Sequence, residues 1–308
     1  MPAFLKILIY LAAALAAGAL VAPPIFWAGQ YLASAGISDW LAGFPFHRVL
    51  SRCLQVSLVV LLWPTLRWIG LRRPSELNLR RNPLAVADAV TGFVLAAGIV
   101  AALAAICFFT GMSALRPDAA WSGLWRIVPT AFAVAAVEEI VFRGVVLGLC
   151  LWTLSRPAAI GLSTFLFAIV HFIKPSRTEI EPGAVLWSSG LSELTTFVQN
   201  LPPWPLLVFA MTSLLVAGWI LGSSAVRTRS LWLPFGLHAG WVLGQQTTNL
   251  LLRPVSDLPD AWMPWVGPNL VSGAVPTGIL PVIALLLTGY IVNRYLDHVF
   301  RPVDTRPS

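Results

Sequence analysis

Apolar residues fall along this chain in long runs, broken by short clusters of charge and proline. Eight runs stand out, at about 5–27, 49–71, 86–110, 126–153, 157–173, 204–226, 230–252 and 277–296. Each approaches the ~20 residues that a helix needs to cross a bilayer. Hydrocarbon offers the backbone no hydrogen-bond partner, so a spanning segment must satisfy itself, and a helix does so. The ten-residue alternating segments of a membrane β-barrel are missing. The pattern predicts an all-α, polytopic membrane helix bundle of about eight transmembrane helices. Its first run, Ile7 to Trp27 behind Lys6, exceeds the ~7–15-residue core of a signal peptide and reads as an anchor.

Composition agrees. Of 308 residues, 57% are hydrophobic and 11% charged, against about 25% charged in soluble domains. The net charge of +7 comes from arginines set between apolar runs, with no basic cluster interleaved with aromatics. That excludes nucleic acid as the expected partner and points to the positive-inside bias. With the N-terminus inside, twelve lysines and arginines lie in or beside inside segments and seven in or beside outside ones. The expected location is the bacterial inner membrane with both termini cytoplasmic. Cys53, Cys107 and Cys150 each fall within a run, without metal-ligand spacing, and read as small packing residues.

Residues 1–124 are expected to form N-terminal transmembrane helices and 125–252 a catalytic helix core. Residues 253–308 would supply an outside loop with Trp262 and Trp265, a last transmembrane helix and a disordered tail from Arg301. Residues 174–204 make a second long outside loop carrying Glu179, Glu181 and Glu193. The halves show no repeat, so an inverted-repeat transporter gains no support.

The fourth run, FAVAAVEEIVFRGVVLGLC, carries Glu138, Glu139 and Arg143. An ion at the centre of a membrane helix costs roughly 2.5–3.5 kcal/mol, so such residues face an interior or a wet cavity and serve a function. Glu139 and Arg143 are four apart on one helix face and form an expected ion pair. Glu138 lies ~100° around the helix and is left for chemistry, as a general base. The fifth run adds Phe167 and His171. The seventh adds His238, with Gln245 and Asn249 within ~40° of it and Gly236, Gly240 and Gly244 on the opposite side, where another helix can approach closely. Glu138, His171 and His238 could bind one zinc, since two histidines and a glutamate form a catalytic ligand set. Alternatively, Glu138 and His171 activate water directly while His238 stabilises an oxyanion. The metal ligands, if a metal is bound, would be these same three residues. No H-E-x-x-H occurs.

These motifs resemble those of the CPBP (CAAX protease and bacteriocin-processing, or Abi) family: E-E-x-x-x-R at Glu138–Arg143, F-x-x-x-H at Phe167–His171, and a histidine helix at His238. The resemblance covers about residues 125–250. It implies an intramembrane endopeptidase that cleaves a membrane-associated peptide or protein, with Glu138 and His171 activating water, His238 forming the oxyanion site, and Glu139 and Arg143 holding the arrangement. One position departs from the family pattern: its asparagine four residues after the last histidine is Val242 here, and Gln245 is the nearby substitute. The competing reading is a non-proteolytic membrane protein, an immunity or maturation factor. A proton-coupled transporter fits less well, because the mid-membrane charges are confined to one run.

Overall fold

The computed structural model describes residues 3–70, 82–119, 121–172, 180–196, 201, 203–255 and 278–299. The chain is all-α, with helices α1 (Ala3–Ser34), α2 (Phe46–Ile69), α3 (Ala85–Phe109), α4 (Leu124–Glu139), α5 (Leu147–Cys150), α6 (Arg156–Val170), α7 (Ser189–Thr195), α8 (Trp204–Thr228), α9 (Trp232–Leu251) and α10 (Ile279–Val299). Five segments are long and apolar enough to cross a membrane: Leu5–Ser34, Phe46–Ile69, Ala85–Phe109, Leu206–Thr228 and Ile279–Val299. The other three expected spans are helical but broken, short or polar. Residues 126–153 form α4, a π turn and α5, α6 has 15 residues, and α9 carries the polar stripe. Trp262, Trp265, Glu179, the tail from Arg301 and eight of the basic residues behind the orientation (72, 73, 80, 81, 174, 177, 301 and 306) lie outside the described residues.

The chain forms two compact units. The first comprises residues 1–72 and 169–202. Within it α1 and α2 pack around Ala19, Ala22, Phe26, Phe46, Leu50 and Leu54. Gly18 brings the helices together: a Cβ there would lie 2.7 Å from the Leu54 Cα.

The second unit comprises residues 73–168 and 203–308. Its axis is the crossing of α3 and α9, which the glycine stripe of α9 makes possible. A Cβ on Gly236 would collide with the Ala89 carbonyl oxygen, one on Gly240 would lie 2.5 Å from the Phe93 carbonyl oxygen, and one on Gly244 would lie 2.9 Å from Val100. Gly92 of α3 answers them, 2.7 Å from the Leu233 carbonyl oxygen by the same measure. Backbones this close gain dispersion contacts that no larger residue allows. Gly236→Ala is therefore expected to separate the helices and destabilise the fold by about 1–3 kcal/mol. Thermal unfolding in detergent would measure this, and an unchanged midpoint would mean that the crossing tolerates a methyl group.

A two-stranded antiparallel ribbon, β1 (Ser113–Leu115) with β2 (Leu252–Pro254), ties the chain after α3 to the end of α9. Arg116 closes that end by donating from Nε to the carbonyl oxygens of Asn249 (2.9 Å) and Leu252 (3.1 Å). At the opposite end of the crossing, buried Asp88 accepts hydrogen bonds from Asn82 and Tyr295, both at 2.7 Å, and links α3 to α10.

Candidate active site

The charged helix buries Glu139 and Arg143, each 1% exposed. From Val141 to Cys150 every residue is buried. Within this stretch the helix widens into a π turn, Ile140–Val146, a form that concentrates at functional sites. The Phe142 carbonyl oxygen accepts from the Leu147 backbone N–H within this turn and also from the Ser163 hydroxyl of α6 at 3.0 Å. Ser163 carried no signal in the sequence, because an isolated serine in an apolar run reads as packing.

Arg143 Nη1 donates to Glu139 Oε1 at 2.9 Å, and both side chains are 1% exposed. The same Oε1 lies 2.7 Å from His238 Nδ1. A carboxylate paired with a guanidinium is ionised and can only accept, so Nδ1 carries the proton. The other ring nitrogen, Nε2, is thereby turned toward Glu138, whose Oε2 is 3.7 Å away. Glu138 is 27% exposed and Glu139 1%, so Glu138 is the less enclosed of the adjacent glutamates, with its Oε2 turned into the buried side of the site. Glu139 thus grips both the arginine of its own helix and the histidine of α9. This second grip joins residues far apart in sequence, and no local spacing rule could reveal it.

Phe167 of α6 backs the group. The Arg143 guanidinium lies 4.2 Å from its ring centroid, and its ring meets Phe142 edge-on at 5.3 Å and His238 edge-on at 6.0 Å. A cation over a desolvated aromatic face gains roughly 2 kcal/mol, which offsets part of the cost of burying Arg143. Val242 and Gln245 are half-buried on α9. Gln245 is two turns beyond His238, about 10 Å along the axis. His171 follows the last residue of α6, half-buried, in a segment that belongs to the first unit. The structure thus brings Glu138, Glu139, Arg143, Phe167 and His238 together in the second unit. Among the described residues no three of His, Cys, Asp and Glu form a group able to hold a metal. Within the second unit, Glu138 and His238 supply two of the three donors named from the sequence.

Glu139→Gln tests the histidine's orientation. The amide can present its NH₂ to Nδ1, which reverses the tautomer and leaves Nε2 as the protonated nitrogen. Turnover is expected to fall about 10²-fold with substrate affinity retained. A nitrogen-15 spectrum of the His238 ring would report the tautomer directly, and an unchanged tautomer would refute this role.

Residues 120–244 match the family model for the type II CAAX prenyl endopeptidase, Rce1-like. No curated protein and no solved structure matches the chain.

Proposed function

For a membrane chain whose residues 120–244 match the Rce1-like CAAX prenyl endopeptidase model, we propose hydrolysis of a peptide bond in a membrane-associated protein or peptide by water held between Glu138 and His238. The observation that carries this reading is the 3.7 Å separation of Glu138 Oε2 and His238 Nε2. It is too long for a direct hydrogen bond and suits one bridging water. Glu138 takes a proton from that water while neutral Nε2 accepts a hydrogen bond from the O–H that remains and aims the oxygen lone pair. Hydroxide adds to the peptide carbonyl carbon. The C–N bond then breaks, and Glu138 returns its proton to the leaving nitrogen. The products are an amine and a carboxylic acid, which gives its proton to the amine or to solvent.

In this scheme Glu139 and Arg143 are positioning residues and Phe167 is their support. His171, supplied by the F-x-x-x-H pattern, is assigned as the second base acting with Glu138. Oxyanion stabilisation by His238 would require the doubly protonated ring, so the neutral ring is assigned to water instead. Gln245, too far along α9 to replace the family asparagine at position 242, is assigned to the substrate backbone. The catalytic core is residues 125–252.

The test uses purified protein in detergent with a membrane-associated peptide. His238→Ala is expected to lower kcat by about 10²–10⁴, measured on the fraction that elutes as folded protein, with some loss of thermal stability because Glu139 loses a buried partner. The metal-free route predicts that cleavage by the parent survives a zinc chelator. Loss on chelation, reversed by added zinc, would overturn the metal-free route. Full activity in His238→Ala would overturn the assignment of that histidine.

A further inference from the structure

An open groove of about 480 Å³ lies away from the glutamate site, between α3, α9 and α10. Its walls are apolar: Val90, Val94 and Leu95 on α3, Leu233 on α9, and Ile291 and Val292 on α10. Gly92 lines it as well, without a side chain to fill it. Val90, Val94 and Ile291 are exposed, so a chain could lie against them. Two of the three helices, α3 and α10, are long and apolar enough to cross a bilayer. The medium meeting such a face is lipid, which identifies the occupant as an acyl chain.

The polar features gather at one end. Thr91 and Tyr295 line the groove near the beginning of α3 and the end of α10, and Tyr295 is anchored by its hydrogen bond to Asp88. Arg294 is exposed three residues after Ile291, hence on the same side of α10. Arg229 is exposed at the α8–α9 junction, four residues before Leu233. Neither arginine makes an ion pair among the described residues. Exposed Trp232 opens α9 at the same end, as expected where a helix meets the headgroup layer. Apolar walls running inward from a helix end, with exposed arginines at that end, match a lipid with a negative head and long tails. We propose that this groove binds one anionic phospholipid, with its acyl chain along Val90, Val94, Ile291 and Val292 and its phosphate at Arg294.

The experiment purifies the full chain from micelles holding equal dioleoyl phosphatidylglycerol and dioleoyl phosphatidylcholine, and counts retained lipid by native mass spectrometry. One phosphatidylglycerol per chain is expected, at least tenfold over phosphatidylcholine. Val94→Trp should fill the groove and cut retention at least tenfold, with Ile291→Trp as a second filling variant should the first not fold. Arg294→Gln should bring the two lipids to parity. Leu286→Trp, on α10 but outside the groove lining, should leave retention unchanged. Parental retention in a folded groove-filling variant, or equal retention of both lipids by the parent, would overturn the proposal.

Discussion

Glu138→Gln should fold, insert and bind substrate like the parent and lose nearly all cleavage. Its side chain is 27% exposed and 3.7 Å from His238 Nε2, so it is less enclosed than Glu139, which is 1% exposed and bonded to Arg143. Glutamine keeps the volume and one carbonyl oxygen but cannot take a proton from water. Removing a general base lowers rate by about 10²–10⁴. The measurement is single-turnover cleavage of a membrane-associated peptide in detergent, with substrate affinity determined separately on the same preparation. Undiminished turnover would remove Glu138 from the chemistry. A weaker affinity with unchanged kcat would make it a substrate contact.

Arg143→Ala should instead fail before the chemistry begins. The guanidinium and the Glu139 carboxylate are both 1% exposed and joined at 2.9 Å, and the cation also rests on Phe167. Removing one member of a buried pair leaves the other charge uncompensated and typically costs about 3–5 kcal/mol. Within a marginal total stability of about 5–15 kcal/mol, that should reduce the yield of folded protein sharply. Unfolding midpoint and detergent-extracted yield are the readouts. Arg143→Lys should recover part of the stability, since it restores the charge without the planar fork. A fully stable but inactive Arg143→Ala would show that the arginine acts on the substrate or its transition state.

How much of this was legible beforehand follows from the range of each interaction. The all-α membrane bundle was legible because hydrophobic run length is a local property. Glu138, Glu139 and Arg143 stood out because their cost in lipid can be read without a fold. The i,i+4 spacing anticipated the contact between Glu139 and Arg143, since both lie on one helix. The glycine stripe of α9 announced a close crossing, although nothing local identified α3 as the partner. The bond from Glu139 to His238 was hidden because two separate helices make it, and the π turn was hidden because no residue in Ile140–Val146 requires it. Asp88 was missed for a different reason. It is an acid near the start of an apolar run, where a helix terminus tolerates negative charge, so its complete burial between Asn82 and Tyr295 had no distinctive signal.

The α3–α9 crossing also limits how a substrate can be admitted. Its backbones meet directly at Gly236 and Gly240, and Gly244 seats the Val100 side chain, so α9 has little clearance to slide or roll without lifting off α3. The histidine it carries is therefore a fixed post. Any lateral gate in this unit must swing on the other side of the site, where the π turn between α4 and α5 gives the glutamate helix a pitch that can tighten or loosen by one residue.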